Sequence, residues 1–390
     1  MIVRYETWGA WVKLEAPPAI VAVDRDGVRA LGLDGGDAWS EAKATRPSAP
    51  LEVHLAVTGK CAAGCEGCYL DARPDGIEPP REVLLERMDA LRDAGVFTVA
   101  FGGGEPVSRA DLGQLARDAR ARGLTPVLTT SGFGLHSGQI ADLSAFAQVN
   151  VSYDGQGEDY ARVRGFDGTR GAERAIRELS RAGVLVGVNV VLTQQTFDRL
   201  GQTLARAREL GAREAQLLRY KPAGRAANLD YLARRLTPAQ AAAVGPVLRE
   251  LSRVHDCASG AFRIRIDCAM VPYLSADPEI AQAPELLAKM GVFGCEAAAA
   301  LAAVRVDGLV APCSFAAPTA LRAQDLADRG DEDPELSRWR AYAAAPAEPC
   351  ASCTLRPVCK GGCKVVSTFL DGAHGPDPEC PRVRAHRATA

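Results

Sequence analysis

Short apolar runs alternate with longer segments of helical periodicity through the middle of the chain, between residues 51 and about 222. The apolar runs, rich in β-branched residues, predict six strands at 51–57, 96–101, 125–130, 148–153, 184–192 and 214–220. Between them, residues such as Leu84, Met88 and Leu91 fall on one helical face. Parallel strands need helical crossovers, so the alternation predicts an α/β fold with a parallel sheet. A doubly wound sheet and a partial barrel both satisfy this pattern.

The regions on either side of this core carry weaker patterns. The segments 8–15 and 19–23, which flank Pro17-Pro18, predict a small strand–turn–strand unit. A Thr-Pro-Ala-Gln sequence at 237–240 predicts the capped start of a helix. After Cys295 the periodicity fades while Gly, Pro and Cys become frequent, which is typical of loops held by metal. The predicted regions are a β-rich N-terminal extension (1–50), a core (51–225), a bridging region (226–294) and a cysteine-rich domain (295–390).

Composition excludes several classes of protein. The 390 residues are 47% hydrophobic and 24% charged, which argues for a buried core and against disorder. Lys and Arg total 46 against 48 for Asp and Glu, so no overall charge favours nucleic acid or an anionic membrane. The first residues lack the basic region and apolar run of a signal peptide, and no stretch is apolar enough to span a bilayer. We therefore expect a cytoplasmic protein.

The chain contains 12 cysteines, too few for a disulfide scaffold and many for a protein of a reducing compartment, where clustered cysteines more often bind metal. Cys61, Cys65 and Cys68 form a CxxxCxxC motif directly after the first predicted strand. Three thiolates leave one iron of a [4Fe-4S] cube without a protein ligand, and an open position is where a substrate or cofactor binds. From these residues alone, an incomplete zinc site and a chance spacing are the alternatives.

The motif Cys-Ala-Ala-Gly-Cys-Glu-Gly-Cys-Tyr at 61–69 resembles the cluster motif of the radical S-adenosylmethionine (SAM) enzymes. Those enzymes bind SAM through its amino and carboxylate groups at the unique iron, and one electron cleaves it to a 5′-deoxyadenosyl radical. The resemblance implies a partial (β/α)6 TIM barrel, which decides between the two α/β folds. The position before the third cysteine is often aromatic in the family and is Gly67 here. Tyr69 is the expected substitute near the adenine.

The resemblance also implies SAM contacts at the carboxyl ends of the strands, where barrel active sites form. A glycine run such as 102–104 is ordinarily a turn, but in the family a Gly-Gly-Glu-Pro sequence at this strand end supports the SAM amino group. Arg164 is the expected partner of the SAM carboxylate, with Arg162 as a rival. Core packing is the alternative explanation for Asn189 and Leu218. The expected set of SAM contacts is Tyr69, Gly103, Gly104, Glu105, Ser131, Ser152, Asp154, Arg164, Asn189 and Leu218.

Seven cysteines near the C-terminus follow the order Cx12Gx4C, gap, Cx2Cx5Cx3C, gap, C. This order resembles the SPASM extension of radical SAM enzymes that mature peptides, although the local pairs alone also fit zinc knuckles. The resemblance implies two auxiliary [4Fe-4S] clusters, hence three clusters in all. The first would be held by Cys268, Cys295, Cys313 and Cys363, with Cys257 as the alternative to Cys268. The second would be held by Cys350, Cys353, Cys359 and Cys380.

Together these features predict a radical SAM enzyme that crosslinks a ribosomally made peptide through a carbon–carbon, thioether or related bond. No catalytic base is predicted. Sulfatase maturation is disfavoured, because Ser314 follows Cys313 where that branch carries an acidic base. Dehydrogenation or epimerisation of a small molecule such as an aminosugar, and a non-catalytic electron carrier, remain alternatives.

Two kinds of partner are expected beyond the peptide. Flavodoxin or ferredoxin would donate electrons. A precursor-binding winged-helix domain often precedes such cores, but the first 50 residues are too few for one. Leader recognition would therefore fall to the predicted hairpin or to a separate protein.

Overall fold

A computed structural model describes residues 1–15, 18–40, 46–228 and 230–389. The N-terminal elements are Ile2–Glu6 (β1), Gly9–Glu15 (β2), Pro18–Asp24 (β3) and Arg25–Ala30 (α1). The three strands form an antiparallel sheet in the order β1-β2-β3. Strands β2 and β3 confirm the expected strand–turn–strand unit, whereas the short β1 was not predicted. Pro17, in the predicted turn, lies outside the described residues.

A second sheet of nine strands forms the centre of the molecule. Six of its strands pair with one another in chain order and run parallel, which confirms the six predicted strands. They are Glu52–Thr58 (β4), Thr98–Gly103 (β5), Thr125–Thr130 (β6), Gln148–Ser152 (β7), Val186–Leu192 (β8) and Glu214–Arg219 (β9). Three short strands extend the sheet at its two edges. They are Arg263–Ile266 (β10), beside β9, and Leu301–Val304 (β11) and Val310–Ala311 (β12), on the side of β4.

Helices connect consecutive parallel strands and cover one face of the sheet. Those of the core are Arg81–Asp93 (α2), Leu112–Ala121 (α3), Ile140–Leu143 (α4), Glu158–Arg164 (α5), Thr169–Arg181 (α6) and Leu200–Glu209 (α7). Those that follow are Asp230–Arg234 (α8), Pro238–Val254 (α9), Pro278–Ala281 (α10), Pro284–Lys289 (α11), Leu326–Arg329 (α12), Pro334–Ala344 (α13), Arg356–Cys359 (α14), Lys364–Asp371 (α15) and Pro381–Thr389 (α16). Helix α9 begins at the predicted position, where Thr237 and Gln240 form a capping box. None of the helices in the described ranges is both long and apolar enough to cross a membrane.

The sheet curls into a partial barrel with the helices outside. In β4 the alternate residues Val53, Leu55 and Val57 are fully buried in the same apolar core as the residues of α2 that face the sheet. Glu52 and His54 occupy the opposite, inner face. The charge of Arg265, on β10, lowers the pKa of Glu52 although five strands separate β10 from β4 in the sheet order. In a flat sheet this separation would be about 29 Å, a distance at which salt screens the interaction of two charges almost completely, so the inner faces of β4 and β10 must approach each other.

Candidate active site

The loop that follows β4 brings Cys61, Cys65 and Cys68 together. Burial raises the pKa of Cys61, and negative charge on Glu105 and on the other two thiols raises it further. The three thiols therefore lie within electrostatic range of one another. All three are free of disulfide bonds.

The glycines at the end of β5 allow its backbone to approach this loop. Gly103 has a φ of +116°, and a Cβ atom there would lie 2.2 Å from the carbonyl oxygen of Thr58. A Cβ atom on Gly104 would lie 2.1 Å from the carbonyl oxygen of Lys60. The Gly104 amide donates to Thr58 O at 2.7 Å, which ties β5 to the end of β4. Close backbone approach thus explains both glycines, and their contact with SAM stays a prediction.

Glu105 organises the ends of β5 and β6. Its carboxylate accepts hydrogen bonds from Thr130 Oγ1 at 2.5 Å, from the Ser131 amide at 2.8 Å, from Ser131 Oγ and from the Val107 amide at 3.3 Å. Burial raises the pKa of Glu105, and these donors oppose that rise. Four donors match the four lone-pair positions of a carboxylate. The geometry therefore favours a positioning role for Glu105 and Ser131, and their direct contact with SAM stays a prediction.

Arg164 links Asp154 to the cysteine loop. Its Nε donates to Asp154 Oδ2 at 2.6 Å, while the Val191 amide donates to Asp154 Oδ1 at 2.7 Å. Burial raises the pKa of Cys65, and the guanidinium of Arg164 opposes that rise, which places Arg164 beside the thiol. Arg162 instead pairs with Glu158 on the surface, with 43% of its side chain exposed. Of the two arginines weighed for a carboxylate ligand, the structure brings Arg164 to the loop.

The carboxyl ends of β7, β8 and β9 place further expected SAM residues side by side. Ser152 pairs with Asn189 across β7 and β8, and Leu218 pairs with Val191 across β9 and β8. Asn189 Oδ1 is buried and accepts no hydrogen bond from the described residues. A buried acceptor without a donor costs about 1–3 kcal/mol, so this atom fits a ligand that brings a donor, as the ammonium and hydroxyl groups of SAM do.

Aromatic residues surround the cysteine loop in an arrangement that the sequence did not indicate. The Tyr69 ring packs against the Phe315 ring at an interplanar angle of 34°, with ring centroids 4.6 Å apart. The space beside Gly67 is occupied by Tyr220, whose hydroxyl would lie 3.1 Å from a Cβ atom at that glycine. Tyr220 therefore supplies an aromatic ring next to the third cysteine, and the contact of Tyr69 with the adenine stays a prediction. The position of Tyr220 directly after β9 is the signal that points to it.

A second group of cysteines comes from four separate parts of the chain. Burial raises the pKa of Cys313 to about 12, and the charges of Cys295 and Cys363 contribute. Cys268 likewise lies within electrostatic range of Cys295 and Cys363. Cys257 instead has Ser252, Asp256 and Arg208 as its charged and polar neighbours. The structure therefore groups Cys268, and not Cys257, with the other three.

The third group lines one small cavity near the C-terminus. Its members are Cys350, Cys353, Cys359 and Cys380. Burial raises the pKa of Cys350 to about 12, and the charges of Cys380 and Cys353 contribute. In the described parts of the chain no three His, Cys, Asp or Glu side chains are arranged to hold a single metal ion. In a four-iron cube each thiolate binds a different iron.

Comparison with known proteins identifies the domain that contains the first of these groups. Residues 55–207 match the Radical SAM superfamily. The chain carries a radical SAM domain. Mycofactocin maturase MftC of Mycolicibacterium smegmatis is 29% identical over 350 residues, which cover 85% of this chain and 83% of that protein. PqqA peptide cyclase of Xanthomonas oryzae pv. oryzae is 27% identical over 365 residues, which cover 87% of this chain and 91% of the cyclase.

Two solved structures share the fold of the radical SAM domain and of most of the chain. Streptococcus suis SuiB bound to its precursor peptide SuiA superimposes with a TM-score of 0.74 at 17% identity, covering 97% of this chain and 98% of SuiB. The enzyme anSMEcpe with bound SAM gives a TM-score of 0.63 at 20% identity, covering 86% and 95% of the two chains. At these identities the agreement establishes a common fold. It confirms the predicted partial barrel.

A buried lysine that sequence reasoning missed lies between the radical SAM domain and the second cysteine group. Lys221 forms an ion pair with Asp267, and its Nζ lies 4.1 Å from the centre of the Phe315 ring. Its charge lowers the pKa of Tyr69 and of Cys313, against the effect of their burial. Lys221 is thus a cation shared by the second cysteine group and by Tyr69, beside the cysteine loop. Only its place two residues after β9 hints at this role.

Proposed function

We propose that this protein is a radical SAM/SPASM oxidoreductase that crosslinks a ribosomally synthesised peptide through a carbon–carbon, thioether or related bond. The observation that carries the proposal is the gathering of eight cysteines, distant in sequence, into two groups of four beyond the three cysteines of the radical SAM domain. The names of mycofactocin maturase and PqqA peptide cyclase, and the peptide bound to SuiB, support a peptide substrate.

The residues of the radical SAM domain fit the cofactors of its family. When bound, SAM and its [4Fe-4S] cluster supply a 5′-deoxyadenosyl radical. Cys61, Cys65 and Cys68 would hold the cluster. Arg164, held by Asp154, would bind the SAM carboxylate through a charge-assisted pair. We further propose that Asn189 accepts a hydrogen bond from SAM.

The two other cysteine groups would hold two auxiliary [4Fe-4S] clusters, for a total of three. Fully ligated clusters leave no iron for SAM, so their role would be electron transfer. Flavodoxin or ferredoxin is the proposed donor. A separate protein, or the N-terminal sheet, would recognise the leader of the precursor peptide.

The test is an anaerobic incubation of the reconstituted protein with SAM, a reductant and peptides encoded by neighbouring genes. We expect release of 5′-deoxyadenosine together with loss of hydrogen from one peptide, read by mass spectrometry. Cys61→Ala is the control and should abolish both. Release of 5′-deoxyadenosine with alteration of an aminosugar, and of no peptide, would support the small-molecule alternative. If the protein does not cleave SAM at all, a non-catalytic electron carrier would be the remaining alternative function.

A further inference from the structure

Three side chains on the inner face of the barrel form a hydrogen-bonded chain. Ser314 Oγ lies 2.5 Å from His54 Nδ1, and His54 Nε2 lies 3.0 Å from Glu52 Oε1, so both contacts are within hydrogen-bond distance. Glu52 and His54 are neighbours on the inner face of β4, whereas Ser314 is 260 positions further along the chain than His54. The fold therefore assembles these three hydrogen-bonded side chains from two segments that are distant in sequence.

The carboxylate decides which nitrogen of the imidazole carries the proton. Partial burial raises the pKa of Glu52, but the hydrogen bond from His54 and the charge of Arg265 lower it below its ordinary value, so the carboxylate is ionised. An ionised carboxylate only accepts, which assigns the proton of the neutral imidazole to Nε2. Nδ1 is then left with a free lone pair that faces the Ser314 hydroxyl. This is the arrangement in which a histidine draws a proton from a serine.

The position of Ser314 gives this arrangement a chemical context. Cys313, before it, belongs to the second cysteine group, and Phe315, after it, packs against Tyr69 beside the cysteine loop of the radical SAM domain. Ser314 thus belongs to a segment that connects the second cysteine group to an aromatic residue beside the cysteine loop. Water reaches these hydrogen-bonded side chains, because those of His54 and Glu52 are 38% and 43% exposed inside the curve of the sheet. A substrate in the barrel has access to the same surface.

We propose that Ser314, His54 and Glu52 form a proton relay that deprotonates the peptide substrate when its radical is oxidised. The inference rests on the proposed function. A substrate radical that has formed its new bond becomes a closed-shell product by losing one electron and one proton. The electron goes to a one-electron acceptor of the iron–sulfur class. The proton goes to Ser314 Oγ, while the original hydroxyl proton moves to His54 Nδ1 and Glu52 stabilises the resulting imidazolium.

In this scheme Ser314 is the catalytic residue, and His54 and Glu52 are positioning residues that act through it. A merely structural role, in which the hydrogen bonds tie the loop after β12 to β4, predicts something different. Loss of the tie would impair every step alike. Loss of the relay spares hydrogen abstraction and impairs only product formation.

The experiment compares the reconstituted wild type with His54→Ala, Ser314→Ala and Glu52→Gln, using the peptide that the wild type modifies. The measured quantity is the ratio of crosslinked peptide to released 5′-deoxyadenosine. We expect the His54→Ala and Ser314→Ala variants to release 5′-deoxyadenosine within about twofold of the wild type while the ratio falls by about tenfold or more. Added imidazole should restore the ratio in His54→Ala and not in Ser314→Ala. His386→Ala, in the exposed last helix, is the matched control and should behave as the wild type.

A second measurement does not depend on turnover. Nitrogen-15 spectra of the histidine-labelled holoenzyme should show His54 protonated at Nε2, with the signal identified by its absence in His54→Ala. The Glu52→Gln variant should lose this preference. A parallel fall of 5′-deoxyadenosine and product, an unchanged ratio, or an Nδ1-protonated His54 would each overturn the relay. A wild type that modifies no peptide would overturn the proposed function and the relay with it, whereas an unaffected ratio in active variants would overturn the relay alone.

Discussion

Among the residues expected to bind SAM, Arg164 has the surroundings that indicate its role most directly. It is 18% exposed, it is held by a fully buried Asp154, and it faces Cys65. We predict that Arg164→Gln weakens SAM binding about tenfold or more, because a hydrogen bond to a charged group contributes about 1.5–3 kcal/mol. Calorimetric titration of the reconstituted protein with SAM would measure this change. Arg162→Gln, on the surface, is the matched control, and equal weakening by both variants would contradict the assignment.

Two lysines beside cysteines of the third group differ in a way that sequence position does not reveal. Lys360 pairs with Glu296, which offsets its charge. Lys364 is buried and donates to the carbonyl oxygens of Lys360 at 2.7 Å and Gly362 at 3.1 Å, with no carboxylate partner among the described ion pairs. Its charge acts on Cys350 and Cys359.

An uncompensated positive charge near a cluster favours its reduced form. We predict that Lys364→Met lowers the potential of the auxiliary cluster proposed for the third group, and that Lys360→Met lowers it less. A redox titration followed by electron paramagnetic resonance would measure both shifts. A larger shift in Lys360→Met would show that the Glu296 pair does not offset the charge.

At the scale of single residues, the sequence predicted which residues belong to the site better than it predicted which of them contact one another. The spacing of Cys61, Cys65 and Cys68 places them in one loop, because local spacing determines local contact. Tyr220 and Gly67 meet only because β9 ends beside the loop that follows β4. No periodicity carries that information. For the same reason the sequence did not single out His54, which resembles any other residue on the inner face of a strand. Its role depends on contact with Ser314, which comes from a distant segment of the chain.

Strands were predictable where they are long and buried. Runs such as those of β4 and β8 are seven residues of mainly apolar and β-branched character, and their bounds agree with the sequence to within two residues. Strands β10, β11 and β12 have four, four and two residues, and they form because the curled sheet offers them an edge. That edge is a property of the tertiary structure, so the sequence alone did not indicate β11 and β12.

A buried ion cluster joins the end of β9 to the segment between α15 and α16. Arg219 donates to both oxygens of Asp377, at 2.6 and 3.0 Å, and to Glu379 at 2.7 Å. All three side chains are at most 2% exposed. The cluster fastens to the barrel the segment that leads into Cys380.

Removal of Arg219 leaves two buried carboxylates without this positively charged partner. We therefore predict that Arg219→Met lowers the free energy of unfolding by about 3–5 kcal/mol. Chemical denaturation of the anaerobic holoenzyme, followed by circular dichroism, would measure the loss. Arg235→Met is the matched control, since Arg235 pairs with the same Glu379 but is 28% exposed. Its loss should cost about 1 kcal/mol or less. Equal effects would mean that burial does not govern the strength of this cluster.

Across the whole molecule the cysteines separate into groups of three, four and four, with Cys257 apart from all of them. The sheet itself produces this arrangement. Cys61 follows β4 and Cys313 follows β12, and both strands belong to one continuous sheet. The radical SAM domain and the C-terminal region therefore share a framework, which brings Lys221 within electrostatic range of Tyr69 and of the second group.

This division predicts the metal content of the protein. Three [4Fe-4S] clusters correspond to about 12 iron atoms per chain. Replacement of Cys61, Cys65 and Cys68 by Ala together should remove about four of these atoms and abolish SAM cleavage, since the remaining clusters have no open iron. Cys268→Ala should lower the iron content by up to about four atoms, because it takes one of four ligands from the second group.

Cys257→Ala is the matched control for Cys268→Ala, because both cysteines belong to the same bridging region and only Cys268 lies near other cysteines. It should leave the iron content and the Mössbauer spectrum of the reconstituted protein unchanged. Loss of iron from Cys257→Ala, with none from Cys268→Ala, would exchange their roles. Loss from neither would mean that a non-cysteine ligand completes the second group, and the count of three full cysteine sets would be wrong.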